Sequence, residues 1–319
     1  MQKLFLGMGV ASALVGGFMC LSQRHLKRML AFSTISHTGI LLIGVAVPSL
    51  QGLAGMMVYL AGHGLAKGAL FMVAGIFLAT RASVDEIGLR GLGRDIWPAG
   101  IAMALGAVIL GGMPYGLMDE GARLVDTSAA QSGDGWVAAL LILGAALTGG
   151  AVLRAAGRIF LGWGEVPGEE EAAPTEEEQE KANRPLWLML LPCAALLGLA
   201  LLSGKAGAEF VAKALHHFVS PDTREILGMA SAPAPDIQIA VSTPEPHPFL
   251  PWLAMTLSLG IALFDLSRAK LPGPLVRATQ LLTGPLFRVL NALHSGLIGD
   301  YVMWIAVGLA LFVAVFALA

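Results

Sequence analysis

The sequence comprises 319 residues, of which 56% are hydrophobic and only 13% are charged, and its mean hydropathy is +0.73. A soluble protein of this length needs more polar surface than these residues supply, so the composition excludes a soluble globular protein and indicates one embedded in lipid. The net charge of −2 gives no indication of nucleic acid as a partner. Cys20 and Cys193 each lie in an apolar run without the spacing of a metal site, and we expect no metal and no cofactor.

Eight apolar stretches are long enough to cross a bilayer as helices, which takes about 17–25 residues. All six tryptophans lie at the ends of these stretches, as expected of indole rings at the membrane–water boundary. The sequence therefore predicts an all-α integral membrane protein with about eight transmembrane helices. The stretches lie near residues 4–22, 29–48, 53–80, 98–118, 136–160, 186–203, 249–266 and 302–318.

Lysine and arginine are distributed unevenly between alternate connections. The first, third, fifth and seventh connections hold fourteen of these residues, and the other three hold four. Cytoplasmic connections of membrane proteins carry the excess of positive charge. We therefore expect a multi-pass protein of the cell (inner) membrane with both termini on the extracytoplasmic side.

Two segments are not predicted to span the membrane. Residues 164–185 contain eight of the 22 acidic residues, which predicts a solvated cytoplasmic linker. Residues 271–299 place apolar side chains at three- and four-residue steps, which predicts an amphipathic helix, broken or kinked at Gly284–Pro285. This helix either lies along the membrane surface or is an ordinary connecting helix.

Lys67 lies near the middle of the third predicted span, where an ionisable side chain is costly and therefore a functional candidate. Its position is too deep for the charge to reach either boundary easily. His63 lies four residues earlier on the same helical face. A lysine and a histidine in this arrangement are suited to relay protons. The alternative is a lysine that is neutralised by a carboxylate from a neighbouring helix.

His37, Ser33 and Thr34 form a polar strip in the second predicted span. Such a strip can hold water or donate hydrogen bonds between helices. A lone histidine in this position is nevertheless more often a helix-packing residue.

The sequence GGMPYG at residues 111–116 interrupts the fourth predicted span. A break at this depth frees backbone groups that only a protein-lined or wet cavity can satisfy. Asp119 and Glu120 follow directly. Either they lie at the N-terminus of a half-helix, which favours negative charge, or the span ends here and both are solvated.

Other charged residues lie close to predicted helix ends. Their positions alone favour anchoring at the membrane boundary or helix capping. These residues are Lys27, Arg28, Arg154, Arg158, Asp265 and Asp300.

Two motifs together resemble a known family. Residues 26–39 read LKRMLAFSTISHTG, and residues 63–71 read HGLAKGALF. In this order and spacing they resemble the proton-conducting antiporter-like subunits of respiratory complex I, membrane-bound hydrogenases and Mrp-type cation/proton antiporters. HSGLIGDY at residues 294–301 also resembles the C-terminal stretch of some members. The resemblance covers nearly the whole chain but only the second (C-terminal) half of the family's subunit.

In this family two inverted five-helix repeats each hold a half-channel, and lysines, histidines and a glutamate form a central axis across the membrane. The resemblance implies that Lys27 belongs to this axis, which replaces the anchoring explanation for it. Glu120 is preferred to Asp119 as the buried acid after the broken helix, although the spacing is shorter than usual. The implied proton-relay residues are Lys27, His63, Lys67 and Glu120. The secondary candidates are Asp119, His37, Ser33 and Thr34.

The resemblance also implies a division of the chain. Residues 1–163 would form an antiporter-like five-helix repeat with its half-channel, followed by the acidic linker at 164–185. Residues 186–319 would form C-terminal helices with an extracytoplasmic loop at 204–248 and the amphipathic lateral helix at 271–299.

Two functions follow from these patterns. The first is a proton- or cation/proton-translocating subunit of a complex I-like (NADH-quinone oxidoreductase) or Mrp-like assembly. Its partners would be lipid, H⁺, with Na⁺ as a further candidate ion, and other membrane subunits, including a chain that supplies the first repeat. The alternative is a structural or assembly subunit that braces a membrane complex without conducting ions. Neither requires catalysis by this chain, and the sequence leaves open whether redox chemistry or an ion gradient drives the assembly.

Overall fold

The computed structural model describes residues 2–47, 49–164, 186–218 and 247–293. These residues are largely helical and contain an isolated bridge between His25 and Asp85 but no strand, which confirms the all-α fold class. The described residues up to Leu271 form one compact unit, and α10 belongs to a second. The α-helices are α1 (Gln2–Ser22), α2 (Leu26–Ala46), α3 (Leu50–Arg81), α4 (Trp97–Leu110), α5 (Leu117–Gln131), α6 (Val137–Ala156), α7 (Trp187–Leu202), α8 (Gly204–Phe218), α9 (Leu250–Leu266) and α10 (Gly273–Leu293). A π-helical segment, Gly157–Leu161, extends α6.

Four described helices are long and apolar enough to cross a membrane, namely α1, α2, α3 and α6 with its extension. A fifth is possible if α7 and the first part of α8, which are bent by 77° relative to each other, form one span. Helix α9 is apolar but shorter. The protein is therefore a membrane protein. The count of eight spans stays a prediction, and the eighth, at 302–318, lies outside the described residues.

Helices α1 and α2 pack closely through glycines. A Cβ atom on Gly16 would collide with the backbone of Ser36, and one on Gly39 would collide with the backbone of Ala13. Ser36 also donates a hydrogen bond of 2.8 Å to the carbonyl oxygen of Ala13. Small residues allow helix backbones to approach in this way inside membranes.

Helices α3 and α5 form a second close pair with opposite chain directions. Gly62 of α3 faces Met118, Gly55 faces Leu124, and Gly52 faces Ser128. A Cβ atom on Gly121 would collide with the backbone of Tyr59. This packing fixes the height of Tyr59 against α5.

The chain between α4 and α5 turns at the predicted break. Gly112 and Tyr115 both have positive φ angles, of 92° and 70°, and Tyr115 is a residue type that rarely adopts this conformation. Asp119 accepts a hydrogen bond of 2.8 Å from the backbone N–H of Tyr115 and thereby stabilises the turn. The predicted fourth span, 98–118, covers α4 and only the first residues of α5, which begins at Leu117 and continues to Gln131.

A network of buried ion pairs connects the end of α6 with the α3–α4 connection and the end of α9. Arg154 and Arg158 approach Glu86 to 3.1 and 2.6 Å, and they approach Asp265 to 3.6 and 3.4 Å. Arg154 also donates to the carbonyl oxygens of Leu21 and Gln23. The anchoring explanation is wrong for Arg154, which is buried and has partners in three different elements. Arg158 and Asp265 take part in the same network.

Several sequence predictions are only partly covered by the described residues. The acidic linker, apart from Gly164, and residues 219–246 of the expected loop lie outside them. The first part of that loop is helix α8. Helix α10 continues through Gly284 and Pro285, so the expected break is absent there, while residues 294–299 lie outside the described part. The proposed domain boundaries stay predictions.

Candidate proton-relay site

Lys67 is buried in the middle of α3, with 6% of its surface exposed. Its ammonium group donates hydrogen bonds to the carbonyl oxygen of Leu30 and the hydroxyl of Ser33, both in α2. Ser33 in turn donates a hydrogen bond of 3.0 Å to the same carbonyl oxygen. No carboxylate contacts Lys67 in the described part of the chain, so the structure gives no support there to neutralisation by a neighbouring acid.

His63 lies one turn from Lys67 and is also buried, with 5% of its surface exposed. Neither ring nitrogen has a hydrogen-bond partner among the described residues. Its ring centroid is 4.7 Å from that of His37. A buried imidazole without partners is costly, and such groups in native proteins call for a bound water or a functional explanation. His63 therefore has both nitrogens free to take up or release a proton.

His37 is fully buried and has partners on two other helices. Its Nδ1 lies 2.7 Å from the Tyr59 hydroxyl of α3, and its Nε2 lies 3.0 Å from the Thr148 hydroxyl of α6. Thr148 donates its own proton to the carbonyl oxygen of Gly144, at 2.8 Å. Thr148 therefore accepts a hydrogen bond from Nε2 of His37. In a neutral imidazole with its proton on Nε2, Nδ1 accepts the hydrogen bond of the Tyr59 hydroxyl.

Glu120 and Asp119 have different roles at the start of α5. Glu120 is buried and forms an ion pair with Arg123 one turn later, at 2.8 Å. Asp119 is half-buried and holds the turn at Tyr115. The interpretation that both acids are solvated is therefore wrong for Glu120. The structure does not bring Glu120 into contact with Lys67 or His63, since its described side-chain partner is Arg123.

Lys27 and Thr34 lie on either side of the Lys67 contact in α2. Lys27 is half-buried at the second position of the helix, about one turn before Leu30. The described hydrogen bonds of Lys67 go to Leu30 and Ser33 rather than to Lys27. Thr34 donates to the carbonyl oxygen of Leu30, at 3.0 Å, so several donors converge on that oxygen.

A cavity of about 560 Å³, including its open mouth, lies beside this group of residues. Tyr59 contributes to its wall, so the cavity reaches the hydrogen-bonded partner of His37. Its charged and titratable lining also includes Asp119, Arg123, Asp126 and His247. Asp126 and His247 approach to 3.0 Å.

Sequence reasoning did not select several of these residues. Thr148 carries no charge and lies 111 residues from its partner His37, so nothing local indicates it. Glu120, Arg123 and Asp126 recur at three-residue steps, which would have indicated one polar helix face if the span had not been ended at residue 118. His247 lies just before an apolar stretch and has no local signal.

A family model described as the transmembrane region of NADH:quinone oxidoreductase/Mrp antiporter proteins matches residues 1–148. Residues 1–148 are thus similar to this antiporter-like family. The matched range includes every proton-relay candidate named from the sequence. It also includes Tyr59 and Thr148, the two partners of His37.

Relatives of this antiporter-like region are found among respiratory subunits. Subunit N of the NADH-quinone oxidoreductase of Mycobacteroides abscessus is 34% identical over 121 residues, which cover 34% of this chain and 22% of the relative. Subunit N 2 from Roseiflexus castenholzii is 31% identical over 163 residues, covering 48% of this chain and 32% of the relative. Subunit M from Mycobacterium tuberculosis is 30% identical over 82 residues, covering 26% of this chain and 15% of the relative. The chain thus spans less than a third of the length of each of these relatives.

A solved structure of the Mrp complex from Dietzia sp. contains a chain with a similar fold. The TM-score is 0.56 at 20% sequence identity, over 99% of this chain and 34% of that chain. At this identity the likeness concerns the fold. The similarity of fold extends beyond the residues that the family model matches.

Proposed function

We propose that the chain is an antiporter-like, proton-translocating subunit of a membrane complex, and that Lys67 and His63 carry protons through it. One observation supports this proposal above the others. Within the antiporter-like region, a buried lysine has no described carboxylate partner, and a buried histidine one turn away has both ring nitrogens free. In a purely structural site we would expect such ionisable side chains to be paired with an opposite charge or replaced by apolar residues, because each is costly in lipid.

In the proposed relay, Lys67 and His63 are not both positively charged at the same time. Lys67 and His63 lie one helical turn apart in a region of low dielectric, where two like charges repel strongly. The pair therefore holds one excess proton, on the lysine or on the histidine. When Lys67 passes a proton through a water molecule to His63, its side chain becomes a neutral amine that can bind the next proton. The carbonyl of Leu30 and the hydroxyl of Ser33 hold Lys67 in place in its charged form.

Lys27 and Glu120 have separate roles in this proposal. Lys27 lies at the end of α2 that the charge distribution assigns to the cytoplasm, and it supplies protons toward the Leu30–Lys67 contact. Glu120, paired with Arg123, adds a second charge pair beside the cavity. Its charge acts on the relay through the electric field rather than through a contact.

The proposed partners are other membrane subunits, since the relatives are named as subunits of respiratory complexes and the similar fold comes from an Mrp complex. Whether a separate chain supplies a first repeat stays a prediction. Mass spectrometry of the proteins that co-purify with this chain tests it. The same experiment separates quinone-reducing partners from Mrp-like partners.

Proton movement in membrane vesicles tests the transport function. Vesicles that contain the assembled complex are energised with NADH in one series and with a Na⁺ gradient in another, and internal pH is followed with a fluorescent dye. Lys67→Ala should abolish proton movement under whichever force drives the wild type. The matched control is Lys213→Ala, which removes an exposed lysine of α8 and should leave the rate unchanged.

The same vesicles address the alternative of an assembly subunit. Co-purification of the partner subunits is measured for each variant. The transport proposal expects Lys67→Ala to assemble normally and to conduct nothing. An assembled Lys67→Ala complex that moves protons at the wild-type rate would refute it and favour a bracing role.

A further inference from the structure

The cavity extends from Tyr59, the hydrogen-bonded partner of His37, toward the surface of the protein. Tyr59, which donates a hydrogen bond to His37, forms part of its wall. Gly55 of α3 faces Leu124 of α5, and Gly52 faces Ser128. Asp126 therefore lies opposite the part of α3 between Gly52 and Gly55. It is therefore about one to two helical turns further from Lys67 than Tyr59 is. The cavity thus extends from the partner of His37 toward the end of α5, the side predicted to be extracytoplasmic.

Asp126 and His247 form a pair at this end of the cavity. The Oδ2 atom of Asp126 lies 3.0 Å from Nδ1 of His247. The side chain of Asp126 is 3% exposed, whereas that of His247 is 32% exposed. The second oxygen of Asp126, Oδ1, is buried and has no hydrogen-bond partner among the described residues. One member of the pair therefore has a free atom in the interior, and the other reaches the surface.

The other charged side chains that line the cavity already have partners. Arg123 is paired with Glu120, and Asp119 accepts the hydrogen bond from Tyr115. Tyr59 is the titratable group that α3 contributes to the cavity. Helices α6 and α9 contribute only apolar side chains to its lining. Among the described residues that line the cavity, the Asp126–His247 pair has both an acceptor atom without a partner and a contact with solvent.

We propose that the Asp126–His247 pair is the extracytoplasmic port of the proton path, where protons pass between the cavity and the outside. This proposal rests on the transport function proposed above. A carboxylate and an imidazole in contact can share one proton and pass it on.

The transfer is balanced in protons and charge. A proton from water in the cavity binds Oδ1 of Asp126, and rotation of the carboxyl group then brings this protonated oxygen to His247, where the same proton passes to Nδ1. The resulting imidazolium releases the proton of its other nitrogen to outside water, which restores a carboxylate and a neutral imidazole. The imidazole then exchanges its proton between nitrogens through the outside water. One proton has entered from the cavity and one has left.

The port is tested with His247→Gln and Asp126→Asn in the assembled complex. Proton movement is measured in vesicles at several pH values of the outside face. We expect both variants to slow proton movement by about tenfold and to lose the wild-type dependence on that pH, because a positioned proton-transfer group is missing. Asp134→Asn is the matched control, since Asp134 lies beyond the end of α5 and accepts a hydrogen bond from Trp136 that an asparagine also accepts.

The outcomes separate the port from the relay. Lys67→Ala is included in the same series and reports on the transport function alone. If Lys67→Ala stops proton movement while His247→Gln keeps the wild-type rate and pH dependence, the port is refuted and the relay stands. If Lys67→Ala conducts normally, the transport function fails. His247→Gln decides the matter if Asp126→Asn does not assemble, because His247 is partly exposed and its replacement leaves the core filled.

Discussion

The Thr148 hydroxyl determines which nitrogen of His37 carries the proton. Since Thr148 already donates to Gly144, it must accept from Nε2 of His37, and Nδ1 is left to accept from Tyr59. These two hydrogen bonds orient His37 between α3 and α6. Its neighbour His63 has no such partners and remains free to exchange protons. Two neighbouring imidazoles with the same intrinsic chemistry therefore have different surroundings, and we propose different roles for them.

Tyr59→Phe tests this arrangement. The substitution leaves Nδ1 of His37 buried without a donor, so we expect the free energy of unfolding to fall by about 1–3 kcal/mol. Unfolding is followed in detergent with a thiol-reactive dye, because Cys20 and Cys193 are both buried and become reactive on unfolding. Tyr115→Phe is the control, since Tyr115 is 72% exposed and should tolerate the loss of its hydroxyl. Equal stability of the two variants would contradict the proposed hydrogen bond.

The residues of the site differ in how far the sequence could predict them. Lys67 and His63 are indicated locally, by depth in an apolar stretch and by a spacing of four residues. Thr148 and His247 come into the site only through the packing of helices that are distant in sequence. No local pattern contains that information.

At the level of helices, the close contact between α3 and α5 places Tyr59 at the wall of the cavity. Glycines on both helices allow the backbones to approach, and a Cβ on Gly121 would collide with the backbone of Tyr59. The break at residues 111–116 was predictable from its glycines and proline. The length of α5 was not predictable in the same way. In the sequence alone its polar residues resemble a solvated segment, because the helices that pack against α5 are not known.

Gly121→Ala tests the importance of this contact. The added methyl group must push α5 away from α3, and overpacking of this kind costs about 1–3 kcal/mol. The displacement should also move Tyr59 and slow proton movement. Gly64→Ala is the matched control in α3, because a Cβ there meets nothing within 4 Å and alanine favours a helix. A Gly121→Ala protein as stable and active as the Gly64→Ala protein would show that the close approach is not required.

At the level of the whole molecule, the buried ion network connects elements that are far apart in the chain. Glu86 lies in the α3–α4 connection and binds guanidinium groups from the end of α6, which also bind Asp265 of α9. The Cys20 thiol lies beside Ser33 and within electrostatic reach of Lys67, Arg154 and Glu86. The network therefore stabilises the helices at their predicted cytoplasmic end, and it lies near Lys67 of the relay.

Glu86→Gln tests this structural role. The substitution leaves Arg154 and Arg158 with Asp265 as their remaining carboxylate partner in this network, and breaking a buried ion pair costs up to about 3–5 kcal/mol. Asp95→Asn is the matched control in the same connection, because the Asp95 carboxylate also pairs with an arginine but is 64% exposed. An exposed pair of this kind contributes little to the free energy of unfolding. If both variants unfold at the same temperature, the network does not stabilise the bundle.

The control has a predictable pH dependence. The hydrogen bond from Arg81 lowers the pKa of Asp95 below its usual value. Its small stabilising effect is therefore present above the ordinary pKa of an aspartate and disappears as the pH falls through the lowered value. The comparison with Glu86→Gln is best made near neutral pH.

The overall architecture was the most predictable level. Apolar stretches of spanning length, tryptophans at their ends and two family motifs were enough for the all-α membrane fold and the antiporter-like region. The ion network was not predictable, since Arg154 and Asp265 lie at helix ends, where anchoring is the ordinary explanation. Only the folded chain brings them to Glu86.

The central claim is that Lys67 releases and rebinds protons, and Lys67→Arg tests it most directly. Arginine keeps the positive charge and the hydrogen-bond donors but does not deprotonate in proteins, so a fixed charge is preserved while proton release is prevented. In energised vesicles that contain the assembled complex, we predict loss of proton movement in Lys67→Arg, as in Lys67→Ala, with normal co-purification of the partner subunits. Proton movement at the wild-type rate in Lys67→Arg would contradict the relay.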